Sequence, residues 1–356
     1  MSQRENVNPI REQNHRKNSR RYQKRAAARR RRNTIFIMEI VLLLILAVVL
    51  FFVSKLSKIE KTKLDMDKIE VNEDISQESR KIMKGYQTIA MFGLDNRSNG
   101  NLSQGRSDVI MLANINNDTK EVKLVSVYRD TYLDTGDGIF QKCNAAYAKG
   151  GPEQAISMLN VNLDLNITDY VTVDFNSIIE CVDLLGGVDM EITDDEASLM
   201  TGYIRELNEL TGNKAENLTQ GGTYTLNGVQ ACAYARIRYG GGDDYRRTER
   251  QRTVLTAMVK KAQQSDLTTV NKLINEVCGD IQTSFSNAEL LALASQVFQY
   301  SIGDTTGFPF TKTTRVLSKK TGDVVIPCDL SDNVKELHIF LYEDSAYTAS
   351  DTVKQN

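Results

Sequence analysis

Three short stretches of this 356-residue chain carry acidic and basic side chains at spacings that could do chemistry. The first runs from Gly93 to Asp108, with Gly-Leu-Asp-Asn-Arg, a polar loop, then Arg106-Ser107-Asp108. The second is Tyr128-Arg129-Asp130. The third runs from Tyr234 to Gln251 and reads YARIRYGGGDDYRRTERQ. Arg236 and Arg238 alternate, so an extended backbone points both to one side. Asp244, Arg247 and Gln251 are spaced to share one helical face, and the glycines at 240–242 permit a turn that brings the two groups together. Guanidinium groups gathered in one place repel one another unless an anion sits among them. Phosphate suits them, because each guanidinium can bond it bidentately. Asp95 and Asp108, expected at neighbouring strand ends, could hold a divalent cation through oxygen ligands beside that phosphate.

An arginine- and glutamate-rich helix is more often a solvated face, and that reading is preferred for Arg246, Glu249 and Arg252. It fits poorly with three strand-end groups of complementary chemistry. Other chemistries are excluded by composition. With only His15 and His338, a histidine triad or multi-histidine zinc site has no support, so acid–base work falls to carboxylates, Lys, Tyr or water. Cys143, Cys181, Cys232, Cys278 and Cys328 lack CxxC spacing. They read mainly as small buried hydrophobes, with one bridge as the alternative. Neither GxGxxG nor GxxxxGK[ST] occurs, so nucleotide-dependent enzymes of those types are unsupported.

The elements that must position these residues follow from periodicity. Residues 86–94, 108–115 and 122–128 read as buried strands, each leading towards or out of one of the charged stretches. Helices over 144–160 are broken at Gly150-Gly151-Pro152. A strand over 170–175, a helix over 177–185 closed by Gly186-Gly187, and a strand over 188–192 follow. After a polar stretch come helices over 227–236, 244–261, 269–277 and 288–300, and strand candidates over 323–326 and 337–341. This alternation predicts an α/β fold with a mixed central β-sheet flanked by helices.

Ahead of that domain the chain is of another kind. Residues 1–34 hold twelve Lys/Arg against two Glu, about +10, which leaves about −12 for the rest of a chain whose net charge is −2. Ile35 to Val53 is apolar except for Glu39, and its 19 residues span about 28 Å as a helix. It is longer than a signal-peptide core and no small-residue cleavage site follows it. The expectation is an uncleaved, single-pass transmembrane anchor with the N-terminus cytoplasmic and all that follows extracytoplasmic. The expected layout is a basic tail (1–34), anchor (35–53), stalk (54–84), catalytic domain (85–343) and C-terminal tail (344–356). The topology accounts for the basic tail, so no nucleic-acid partner is expected.

GLDNR with the following GRSD, VSVYRD, KCNAAYAKGG, DYVTVDF, VDLLGGVDM, LNGVQACAYARIR and GDDYRRTERQ occur in the order typical of the LytR-CpsA-Psr family, which the chain closely resembles over residues 86–261. The resemblance implies a three-layer α-β-α domain. It also implies an enzyme that transfers a glycopolymer, such as teichoic acid or capsular polysaccharide, from undecaprenyl pyrophosphate to peptidoglycan. The product is a phosphodiester, and the polyprenyl chain lies in an apolar tunnel. The family's magnesium-associated aspartates match Asp95 and Asp108, implying Mg²⁺ as cofactor. Its pyrophosphate-binding residues match Arg106, Arg129, Arg236, Arg238, Asp244, Arg247 and Gln251, with Arg97 a weaker match. Two departures stand out: Tyr128 replaces a common proline, and Cys143 and Cys232 replace apolar residues. The acceptor hydroxyl must lose a proton, and Asp244 or Asp108 is the expected base. The alternatives are a polyprenyl pyrophosphate phosphatase using water as acceptor, and a non-enzymatic envelope regulator.

Overall fold

A computed structural model of the chain describes residues 60–61, 64–94, 102, 105–136, 138–238, 243–266, 268–269, 272–273 and 281–356. The basic tail, the expected anchor, Asp95, Arg97, the glycines at 240–242, Cys278 and most of the helix expected over 269–277 lie outside the described residues. No helix among the described residues is long and apolar enough to cross a membrane.

The short strand β1 (Glu60–Lys61) comes first, then helix α1 (Gln77–Met83), whose Ser76 cap accepts a hydrogen bond from the Ser79 amide. Strands β2 (Tyr86–Leu94), β3 (Ser107–Asn116) and β4 (Glu121–Val127) form an antiparallel meander, pairing Met91 with Met111 and Met111 with Ser126. The Asn116 side chain accepts from the Asp118 and Thr119 amides and so shapes the turn between β3 and β4. A hairpin of β5 (Tyr132–Asp134) and β6 (Phe140–Lys142) leads into α2 (Ala145–Leu163), which departs from helical geometry at Gly150 and Gly151, where the sequence predicts a break.

Strand β7 (Asp169–Val173) returns parallel to β2. Asp174 caps α3 (Phe175–Leu184), after which β8 (Val188–Ile192) and α4 (Asp194–Thr211) follow. Strand β9 (Gly222–Leu226) pairs with β8, and α5 (Gly228–Arg236) and α6 (Asp243–Gln264) complete this layer. The remaining elements are β10 (Ile281–Thr283), α7 (Asn287–Ser295), β11 (Ser301–Phe308), the hairpin β12 (Lys312–Ser318) with β13 (Gly322–Pro327), α8 (Leu330–Tyr342) and α9 (Asp351–Gln355).

The main sheet has seven strands in the order β1-β10-β7-β2-β3-β4-β11, with parallel and antiparallel neighbours. Alternation along β2 sends Phe92 and Leu94 into a core with α2 and α8, while Ile89 and Met91 face the opposite side, towards Leu255 of α6. A third cluster joins α3, α4, α5 and α6 through residues such as Val182, Met200 and Val229. The mixed sheet between helical layers is the expected fold.

Two readings of the sequence are corrected. Residues 337–341, expected as a strand, lie inside α8, where Val334, Leu337, His338 and Leu341 are buried at helical spacing. Five consecutive largely apolar residues do not separate a strand from a buried helical turn. The sequence does not announce helix α4, because its strongly polar composition conceals Ala197, Met200, Ile204 and Leu207, spaced on one face. Its signal is the Thr193/Glu196 capping box. The segments read as stalk and tail also pack on the domain: Ile75, Tyr347 and Val353 are buried. Asn72 and Ser350 both bond the buried carboxylate of Asp164.

Candidate functional site

The start of β3 lies beside the end of β4, because the two strands are antiparallel neighbours. Asp108 is the second residue of β3, and Arg129 follows β4 by two residues. Arg236 is the last residue of α5, and Ile237 has already left helical geometry, so Arg238 lies beyond the helix. Asp244, Arg247 and Gln251 lie on the first turns of α6. These four elements converge on one carboxylate. Arg129 Nη1 is 3.0 Å from Asp108 Oδ1, while Arg238 Nη2 and Arg247 Nη2 are 3.5 and 3.7 Å from Oδ2. Arg129 Nη2 is also 3.8 Å from Asp244 Oδ1.

One carboxylate does not neutralise three guanidiniums. Arg247 is 3% exposed. Its pKa falls to about 10, first through burial and then through repulsion by Arg129 and Arg238, with Asp108 and Asp244 pulling back. Burial opposes the charge of Arg129 too, but Asp108, Asp244 and Asp130 outweigh it and raise its pKa. Arg247 Nε, Arg236 Nη1 and Gln251 Oε1 are buried with no hydrogen-bond partner among the described residues. Each such atom costs about 1–3 kcal/mol. Unmatched guanidinium donors held around one volume are the arrangement that an anion stabilises.

The neighbouring carboxylates Asp130 and Asp244 shift one another in opposite directions. Burial and a hydrogen bond with Asp130 both raise the pKa of Asp244, against the opposing pull of Arg129. Asp130 is also buried, which alone would raise it. The hydrogen bond with Asp244, Lys142 and Arg129 nevertheless hold it below the ordinary carboxylate range. Lys142 Nζ lies 2.9 Å from Asp130 Oδ1.

Behind the arginines, a cavity runs between the sheet and helices α3, α5 and α6. Met91, Val109, Val171, Ile178, Leu255 and Met258 make its walls apolar, whereas Asp108, Arg236, Arg247 and Gln251 line the same cavity with polar groups. A wholly polar or wholly apolar ligand would match only part of this lining. An amphiphile with a long apolar body and an anionic head matches all of it.

The structure therefore brings together Asp108, Arg129, Arg238, Asp244, Arg247 and Gln251. Arg236 reaches the same cavity but is turned aside: Nη2 pairs with Glu206 Oε1 at 3.2 Å, and the guanidinium lies 4.9 Å from the centre of the Phe175 ring. Helix termination at Arg236, rather than an extended run through 236–238, gives the two arginines different partners. Arg106 is exposed and precedes β3. Asp95 and Arg97 fall outside the described residues. Spacing in the sequence does not single out Lys142, although it opens the KCN block at a strand end, and it presents Asp130 only as part of the Tyr128-Arg129-Asp130 stretch.

The two departures from the family pattern have structural roles. Tyr128 is buried and packs edge-on against Tyr245 of α6, with ring centres 4.6 Å apart. Cys143 Sγ is 3.2 Å from the Tyr128 carbonyl and 3.3 Å from that of Arg129, so the thiol supports the turn carrying the arginine. Cys143 and Cys328 are free thiols.

As for a metal, Asp108 offers hard oxygen donors among the groups lining the cavity. No group of three candidate ligands exists among the described residues. Magnesium needs no protein cage where phosphate oxygens and water complete its shell, and it commonly uses one or two carboxylates.

Comparison with known proteins finds related sequences and folds. The sequence model of the LytR_cpsA_psr family matches residues 46–315. A polyisoprenyl-teichoic acid–peptidoglycan teichoic acid transferase, TagU of Enterococcus faecalis, is 30% identical over 210 residues, covering 58% of this chain and 64% of that protein. The chain thus spans less than two-thirds of that relative's length. Among solved structures, TagT bound to LI-WTA superposes with a TM-score of 0.60 at 21% identity, covering 80% of this chain and 98% of that one. TagT with bound octaprenyl pyrophosphate lipid gives 0.54 at 22% identity, covering 73% and 92%. These likenesses establish the fold.

Proposed function

This chain belongs to the LytR-CpsA-Psr family, and from that premise we propose that it transfers a glycopolymer from a polyprenyl pyrophosphate carrier to peptidoglycan. The observation that carries the reading is the apolar cavity lined in part by Asp108 and Arg247, with Arg129 and Arg238 gathered on the same Asp108 carboxylate. A polyprenyl chain suits the apolar walls, and its pyrophosphate suits Arg129, Arg238 and Arg247. The relative named as a teichoic acid transferase and the TagT structure holding octaprenyl pyrophosphate support the same assignment. The expected membrane anchor would place this site at the outer face, where such a carrier is presented.

In the proposed reaction, a peptidoglycan hydroxyl oxygen attacks the sugar-proximal phosphorus. The bond from that phosphorus to the bridging oxygen breaks, and polyprenyl phosphate leaves with the electron pair. The polymer is then joined to peptidoglycan by a phosphodiester. Arg129, Arg238 and Arg247 orient the pyrophosphate and stabilise charge that grows on its oxygens, a preorganised electrostatic contribution. Arg236, placed by Glu206 and Phe175, borders the apolar part of the cavity and helps to set where the head group stops. Asp108 and Asp95 would hold Mg²⁺, which when bound would supply further charge neutralisation on the phosphates.

The attacking hydroxyl must also lose its proton. Asp108 has both oxygens facing guanidiniums, whereas Asp244 has a raised affinity for protons through burial and its partner Asp130. Asp244 is therefore the proposed acceptor. Lys142 and Arg129 keep Asp130 charged beside it, so that its charge favours protonation of Asp244.

The test uses purified full-length protein with a defined polyprenyl-pyrophosphate glycan and peptidoglycan oligomers. Attachment of the glycan, measured by mass spectrometry, should need both substrates. Release of free phosphorylated glycan at the same rate with and without peptidoglycan would instead identify a phosphatase.

A further inference from the structure

Helix α6 separates two spaces. Its Arg247, Gln251 and Leu255 side faces the cavity described above. Another side, carrying Arg252, Thr256 and Lys260, lines a second groove against β11. Strand β11 is the edge of the main sheet, and a bulge between Ile302 and Thr305 interrupts its pairing with β4 along this groove. Lys261 and Asp189 also border the groove, 3.7 Å apart.

Arg252 is the unusual member. The sequence places it on a solvated face together with Arg246 and Glu249. Those two are indeed exposed, yet Arg252 is only 8% exposed. Its Nε and Nη1 have no hydrogen-bond partner among the described residues. Burial lowers its pKa, and its electrostatic neighbours are Tyr128 and Glu249. A guanidinium that lines a polar groove and has unpartnered N–H groups has unused capacity to donate to an oxyanion. Lys260 stands two helical turns further along, about 12 Å from Arg252, and Lys261 follows it. Among the charged groups of the groove, three cations face the single carboxylate of Asp189. The space is elongated along the helix, and its cations are too far apart for one phosphate to meet them all.

We propose that this groove is a second anion site, which grips a phosphodiester-bearing stretch of polymer away from the reacting phosphorus. The nature of that polymer rests on the glycopolymer-transfer reading; the anion site itself rests on Arg252 and its groove. Tyr128 links the two places, since it neighbours Arg252 and immediately precedes Arg129. A polymer held in the groove would thereby lie along the far side of α6 from the lipid.

The test titrates full-length protein in detergent with a synthetic glycerol-phosphate oligomer and, separately, with octaprenyl pyrophosphate. Arg252→Gln and the exposed-site change Lys260→Glu are compared with the unaltered protein, with thermal melting to verify folding. Each variant should weaken oligomer binding roughly tenfold, the size of one charged hydrogen bond, and leave octaprenyl pyrophosphate binding within about twofold. Oligomer affinity unchanged in Lys260→Glu and in folded Arg252→Gln would overturn the proposal. So would equal competition by millimolar inorganic phosphate, which would mark a free-phosphate site, or equal binding of an uncharged glycan. Failure of the unaltered protein to bind octaprenyl pyrophosphate would count against the transferase reading alone, because the groove is judged by the oligomer.

Discussion

Individual residues at this site trade stability for function. Arg247 is buried among like charges, so Arg247→Met should leave the melting temperature unchanged or higher, since replacing a buried ion by an apolar residue of similar size is often neutral or stabilising. The same change should lower glycopolymer transfer by about 10²–10³-fold, as loss of one preorganised donor to a developing oxyanion does. A calorimetric scan beside the transfer assay checks both halves. Asp244 sets the pH dependence. As proton acceptor it must be ionised, and its pKa is raised above the ordinary 3.8. Transfer should therefore fall as pH drops at a higher pH than for a free carboxylate, and Asp244→Asn should lower transfer strongly while removing that limb from the pH–rate profile of the residual activity. An unshifted limb in the variant would reassign the base. Tyr128 governs the turn beneath Arg129. A Cβ at Gly307 would strike its hydroxyl, so Gly307→Ala should destabilise the protein by about 1–3 kcal/mol, the usual cost of overpacking, measurable by urea unfolding.

At the scale of elements, the site depends on α5 and α6 being seated correctly. Gly228 opens α5 against the carbonyl of Ile179 in α3, and a side chain there would overlap that backbone oxygen. Gly228→Ala must therefore push α5 away from α3. We expect a loss of about 1–3 kcal/mol or more and weaker octaprenyl pyrophosphate binding, since Arg236 and Ala235 line the cavity from the same helix. Unaltered stability in Gly228→Ala would mean that α5 has more freedom than its packing indicates. The elements differ in how legible they were. Strands β2, β3 and β4 were readable because continuous apolar runs end at charged loops, and α2 because two glycines and a proline mark its break. Helix α4 was hidden by its polar composition, and residues 337–341 were misread because a short apolar run fits either period.

Across the whole molecule, the ends of the described domain are tied together through one buried network. Asp164 accepts hydrogen bonds from Asn72, from Tyr347 and from the Ser350 amide. His338 stacks on Tyr347 with ring centres 3.8 Å apart, and its Nε2 lies 3.0 Å from the Leu163 carbonyl. Burial lowers the pKa of His338 from 6.5, against the raising influence of Leu163 and Asp164. A depressed folded-state pKa means that the unfolded chain takes up the proton first. Stability is then fully present above about pH 6.5 and declines as pH falls towards the folded value. In His338→Gln this part of the pH dependence of chemical denaturation should disappear. If the slope below pH 6.5 persists there, other groups are responsible.

What the sequence by itself determined is the chemistry available: arginines and aspartates at strand and helix ends, too few histidines for other routes, and an ordered set of motifs that places the chain in its family. Those are local properties, legible from residue type and spacing. Only the tertiary structure decided how the charges were shared out. It gave Asp108 to Arg129, Arg238 and Arg247, turned Arg236 to Glu206, joined Asp130 to Asp244 and Lys142, and buried Arg252 while leaving Arg246 exposed. Asp108 and Arg247 are separated by more than a hundred residues of chain. Whether they meet depends on how α6 packs on the sheet, and burial then sets what each charge is worth.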